Sequence, residues 1–209
     1  MSRTSNLLDV LFHPDKAFQE IGENENHFFP RAVLILIGTS IFYPSIDLFS
    51  VGFDWLVESE IDEILTEFVL GSVLVSFVTG MLFASFTFFI GKKLGGKGSF
   101  KGVFSSICYS SFPFVIIGLI FVIPIALLVF FLEDDFITMG LFWFAGYGEF
   151  FILIWAFVLL LMAIKISHKL TWGKTIGSTI IGALITTIPY LAMLSILQPD
   201  YFQRLFWYF

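Results

Sequence analysis

From Ala32 onward, long apolar runs alternate with short polar segments, and the length of those runs sets the architecture. A helix that crosses a bilayer needs about 20 mainly apolar residues, because the hydrocarbon layer is about 30 Å thick and each residue rises about 1.5 Å. Five stretches qualify, at roughly 31–49, 68–91, 103–131, 150–166 and 175–197. The fourth is the clearest, since Phe150 to Ile164 carries no charge. Tyr43, Pro44 and Asp47 interrupt the first and blur its outer end.

The third stretch is longer than one crossing requires. Pro113 and Pro124 lie within it, and each removes a backbone donor and kinks a helix. Its first part carries Ser105, Ser106, Tyr109, Ser110 and Ser111. The pattern predicts an interfacial helix over 103–111 leading into a kinked span over about 112–131, with a re-entrant hairpin as the rival. Two flanking pieces are expected on the membrane surface. Residues 1–30 form an amphipathic segment, with Leu7, Leu8, Leu11 and Phe12 at helical spacing and Pro14 suited to the first turn of a second helix carrying Phe18 and Ile21. Residues 198–209 form an aromatic tail.

Charge sets the orientation. Lys and Arg near span ends stay on the cytoplasmic side. Arg3, Lys16, Arg31, Lys92, Lys93, Lys97, Lys101, Lys165, Lys169 and Lys174 all fall on one side of a five-span layout, ten of the eleven basic residues. The opposite connections carry Asp54, Glu58, Glu60, Asp62, Glu63, Glu67, Glu133, Asp134 and Asp135, with Arg204 alone in the tail. The expectation is an all-α bundle of five transmembrane helices, N-terminus cytoplasmic and C-terminus outside.

Composition agrees. Charged residues make up 13% and apolar ones 57%, against roughly 25% charged in a chain whose surface faces water. The first 27 residues are polar and mixed in charge, so no cleavable signal is expected and the first span is its own targeting signal. The net charge of −6 comes from discrete loops, and no basic stripe backed by aromatics suggests nucleic acid. The single Cys108 excludes an internal disulfide or a cysteine zinc cluster.

Candidate chemistry is sparse. Gly91 to Gly98 approaches a phosphate-binding loop, but Gly98 stands where a hydroxyl should bind magnesium and a membrane helix precedes it. The expected role is a tight, flexible turn whose lysines face anionic headgroups. Ser72, Ser76, Gly80 and Ala84 recur every fourth residue on the second span, and Thr175, Thr179, Ala183 and Thr187 on the fifth. Small residues at that spacing let helices approach closely in lipid, within the monomer or at a partner seam. No His, Lys or Arg sits mid-span, which argues against ion-coupled transport. His13, His27 and His168 are scattered, and Ser110 and Ser111 have no evident base. No enzyme, cofactor or metal is expected.

Several segments carry a resemblance. Leu8-Asp9-Val10-Leu11-Phe12-His13-Pro14-Asp15-Lys16-Ala17-Phe18, the loop Leu94-Gly95-Gly96-Lys97-Gly98-Ser99-Phe100-Lys101, and the entry Tyr109-Ser110-Ser111-Phe112-Pro113 follow one another across a five-span layout. Together they resemble the Yip (Ypt-interacting protein) family of multi-span membrane proteins, prokaryotic members above all. Eukaryotic relatives are linked to Rab-type GTPases and vesicle traffic. This chain lacks their long cytosolic N-terminal region and their Asp-Leu-Tyr-Gly-Pro motif, so the resemblance does not carry Rab binding over. It implies a multi-pass protein of a prokaryotic cell membrane, without enzymatic activity. Such a protein binds lipid and other membrane proteins, an ABC-type exporter being one candidate partner, or forms a homo-oligomer. The alternative is a small transporter or lipid-handling protein whose kinked third span, with Tyr109 and Pro113, lines the path.

Overall fold

A computed structural model describes residues 7–51, 71, 73–117 and 135–197. Among these the chain is helical, with no strand. The helices are α1 (Leu7–Phe12), α2 (Pro14–Glu23), α3 (Glu25–Val51), α4 (Leu74–Lys93), α5 (Phe100–Ser110), α6 (Phe112–Ile117), α7 (Asp135–His168) and α8 (Trp172–Leu197).

The short helices are bounded by local chemistry. Pro14 opens α2, where its missing N–H costs nothing and its fixed φ suits the helix, and Ala17 N–H closes the first turn on the His13 carbonyl at 3.1 Å. Ser99 caps α5, its hydroxyl accepting from Gly102 N–H at 3.0 Å. The helix that follows is the hub of the molecule, touching α2, α3, α4 and α7. All of its residues from Gly102 to Ser110 are buried.

The helix expected over 103–111 is present, and it is packed within the protein. The serines that suggested a headgroup layer lie inside protein: Ser110 Oγ bonds back to the Ile107 carbonyl at 2.6 Å, and Ser106 Oγ accepts from Ser167 Oγ at 2.6 Å. A hydroxyl that bonds its own helix hides its polarity, so a hydroxyl-rich stretch need not seek water. The N-terminal segment packs on this helix through one face. Val10, Ala17, Phe18 and Ile21 are buried against the hub, joining Phe28, Phe104, Leu159 and Ile164 in one core. Only its outer residues, such as Leu8 and Phe12, remain exposed.

Three helices among the described residues are long and apolar enough to cross a membrane: Leu74–Lys93, Phe150–His168 and Trp172–Leu197. Helices α3 and α7 begin well before the apolar runs suggest. Helix α3 starts at Glu25, well before position 31, and runs through Pro30 and Pro44. Helix α7 starts at Asp135, where an outer loop was expected. Its 34 residues would span about 50 Å, more than one crossing needs. The expected span over 118–131, Pro124, Ser72 and the tail over 198–209 lie outside the described residues.

Candidate functional site

The loop residues Gly95 to Lys101 gather at the basic end of the bundle, where α4 stops, α5 begins and α7 turns into α8. Helix α4 ends in a left-handed cap. Gly95 takes φ +93°, its N–H bonds the Lys92 carbonyl at 3.0 Å, and Gly96 N–H reaches back to the Gly91 carbonyl at 2.8 Å. This pair of bonds satisfies carbonyls that a helix end otherwise leaves open. Helix α7 ends in the same way with a lysine in the glycine position. Lys169 has φ 55°, Lys169 N–H bonds the Ile166 carbonyl at 3.2 Å, and Leu170 N–H bonds the Lys165 carbonyl at 3.0 Å.

The two caps interlock. Lys97 N–H donates to the His168 carbonyl at 2.9 Å, and Lys174 Nζ donates to the Leu94 carbonyl at 2.8 Å. The Lys-Gly loop is therefore pinned, contrary to the flexible turn read from its glycines. These glycines are spacers for neighbouring backbone and for one imidazole. A Cβ on Gly98 would stand 2.4 Å from the Ser167 carbonyl oxygen, and one on Gly96 would stand 2.6 Å from His168 Nδ1. Gly91 meets the other side of that ring, 2.6 Å from Nε2. His168 is fully buried between them, stacked on Phe88 at 5.8 Å, with neither ring nitrogen hydrogen-bonded. The sequence reading left it among scattered histidines. The signal lay in the glycines at 91 and 96, which only tertiary packing brings to the ring.

Around Ser99 the loop meets the α2–α3 corner. The Ser99 hydroxyl donates to Glu25 Oε2, and Lys101 Nζ donates to Asn26 Oδ1 at 2.9 Å. Phe100 lies at the edge of the Phe88 ring, 5.4 Å between centroids. Tyr109 packs edge-on against Phe28 at 5.7 Å. Burial pushes its hydroxyl above the usual phenol range, and the Arg31 guanidinium beside it opposes the rise. Pro113 is buried at the start of α6. Tyr109, Ser110 and Pro113 thus belong to the packed hub.

The small-residue face of α4 is occupied from within. A Cβ added to Gly80 would stand 2.6 Å from Leu36 Cδ1 of α3, Ala84 is fully buried, and Ser76 is half-buried. On α8, Thr175 and Thr179 are buried but Ala183 and Thr187 face outward. The packed face there is Thr175, Ser178, Thr179, Gly182 and Thr186. It lies against α4, where a Cβ on Gly182 would meet Thr87 Oγ1 at 2.5 Å.

An all-helical chain with apolar helices of spanning length and a polar, lysine-rich end is a membrane protein. Residues 8–195 match the family model described as Yip1 domain, and the chain belongs to that family. No curated relative and no solved structure matches it.

Proposed function

We propose that the chain is a five-span protein of a prokaryotic cell membrane, N-terminus cytoplasmic, that works without catalysis by holding other membrane proteins or organising the bilayer around them. The observation that carries this reading is the outward face of α8. That helix packs mainly against α4. Its other side presents Ile180, Leu184 and Ile188, all exposed. Gly173 and Gly177, four residues apart, lie towards the same end with no atom within 4 Å of an added Cβ. Two glycines at this spacing let a second helix backbone approach closely in lipid. On the α4 face, Leu36 of the same chain packs against Gly80.

Family resemblance makes an ABC-type exporter the first partner to test, with a second copy of the chain as the other. The chain is purified in mild detergent from native membranes and its companions are identified by mass spectrometry. An exporter subunit or a dimer that is lost in Gly177→Leu supports the reading. A lone protein, or a companion that survives the substitution, overturns it.

A further inference from the structure

A cleft of about 720 Å³ opens between the α2–α3 corner and the interlocked caps. Its floor includes Phe18, Gly22, Gly102 and Ile166. Glu23 and Glu25 line it from the α2–α3 corner, and Lys97 and Lys169 from the two caps.

Gly22 leaves this space open. It lies in the last turn of α2, beside the C-cap Asn24, and is exposed. Gly98 and Gly102 meet neighbouring atoms at the position of a Cβ, which explains them. At Gly22 nothing lies within 4 Å, so no contact requires glycine there. A side chain would only fill the cleft.

The charges then select an occupant. The Lys97 and Lys169 amines pair with no carboxylate among the described residues and are free to take an anion. Glu25 accepts from Ser99 and Glu23 from Gln19, and each carboxylate has remaining acceptor capacity for a donor cation. A lining of two amines and two carboxylates matches a zwitterion that carries a phosphate and a primary ammonium. A quaternary ammonium has no N–H to give the carboxylates and needs an aromatic cage. Phe18 is fully buried and His27 packs its ring against Phe28, so the cleft offers none among its described residues.

The setting points to the bilayer as the source. Lys92 and Lys93 end α4, Lys165 lies in the last turn of α7, and its amine sits 4.4 Å over the exposed Trp172 ring that opens α8. Basic residues and tryptophan at the ends of apolar helices mark the headgroup layer. We propose that this cleft binds the headgroup of an ethanolamine phospholipid, phosphate on Lys97 and Lys169 and ammonium on Glu23 and Glu25. The site is independent of the helix-packing face of α8.

The test titrates the full chain in mild detergent with dihexanoyl phosphatidylethanolamine, phosphatidylcholine and phosphatidylglycerol, and with free phosphoethanolamine, read by native mass spectrometry. Saturable one-to-one binding of the ethanolamine lipid, at least tenfold tighter than either other lipid, is expected. Gly22→Leu and the double variant Lys97→Gln/Lys169→Gln should each weaken it tenfold or more. The double variant changes only exposed side chains, so it tests the site even if Gly22→Leu fails to fold. Equal affinity for the three lipids, or unchanged binding in the double variant, overturns the assignment. Free phosphoethanolamine binding as tightly as the lipid overturns the bilayer as its source.

Discussion

Gly98 and Lys169 stand at opposite limits of what one backbone position tolerates. At Gly98 the obstacle to a Cβ is the Ser167 carbonyl oxygen at 2.4 Å, which is main chain and cannot rotate away. Gly98→Ala must therefore part the caps of α4 and α7, and overpacking of this kind costs about 1–3 kcal/mol. Thermal unfolding in detergent should show a lowered Tm for Gly98→Ala, and an unchanged Tm would mean the caps do not interlock. Lys169 is the reverse case. It holds φ 55° with a side chain, in the position where helix caps favour glycine. Lys169→Gly removes that strain and should raise stability by about 1 kcal/mol. A fall in Tm would show that the lysine side chain contributes more than its backbone costs. Burial also pushes the Cys108 thiol well above its usual range, so the native cysteine should stay unreactive.

At the scale of the helix, spacing by four was legible but its geometry was not. Each step of four residues turns a helix by about 40° beyond a full turn, so a row of four such residues drifts about 120° around it. The row Thr175, Thr179, Ala183, Thr187 begins buried and ends exposed for this reason. The packed face corrects the drift by mixing threes and fours, as Thr175, Ser178, Gly182 and Thr186 do. On α4 the later residues of the row, Gly80 and Ala84, face neighbours. Which neighbour was beyond the sequence, because nothing local relates Gly80 to Leu36. The same limit hid the hub: α5 reads as amphipathic and hydroxyl-rich, and only the surrounding helices show that every side of it is covered. Gly80→Leu should separate α3 from α4 within one chain. Its expected signature is a lower Tm with the oligomeric state unchanged by size-exclusion chromatography with light scattering. A change in oligomeric state at constant Tm would return this face to a partner.

For the whole molecule, the fold class was legible because lipid imposes it: an apolar run of about 20 residues has few fates other than a spanning helix. The structure adds that the basic residues assemble. Lys92, Lys97, Lys101, Lys165 and Lys174 come from separate segments, yet Lys97 binds the His168 carbonyl through its N–H and Lys174 reaches the Leu94 carbonyl. One connected polar end cannot be divided between two sides of a membrane. Its side therefore fixes the topology, and the clustering of lysine predicts the cytoplasm. Cysteine labelling tests this in whole cells, with Cys108 as a silent background because it is buried. Lys97→Cys lies on the assembled end and should resist a reagent that cannot enter the cell. Glu60→Cys, in the acidic connection after the first apolar run, should be modified at once. Permeabilising the cells should then expose position 97, which is exposed in the fold. Labelling of position 97 in intact cells, with position 60 protected, would invert the molecule. It would place the phospholipid cleft in the outer leaflet and turn the first exporter contact to test towards the cell exterior. If both positions were modified in intact cells, an odd number of crossings between them would be excluded, and the five-span layout would fall with it.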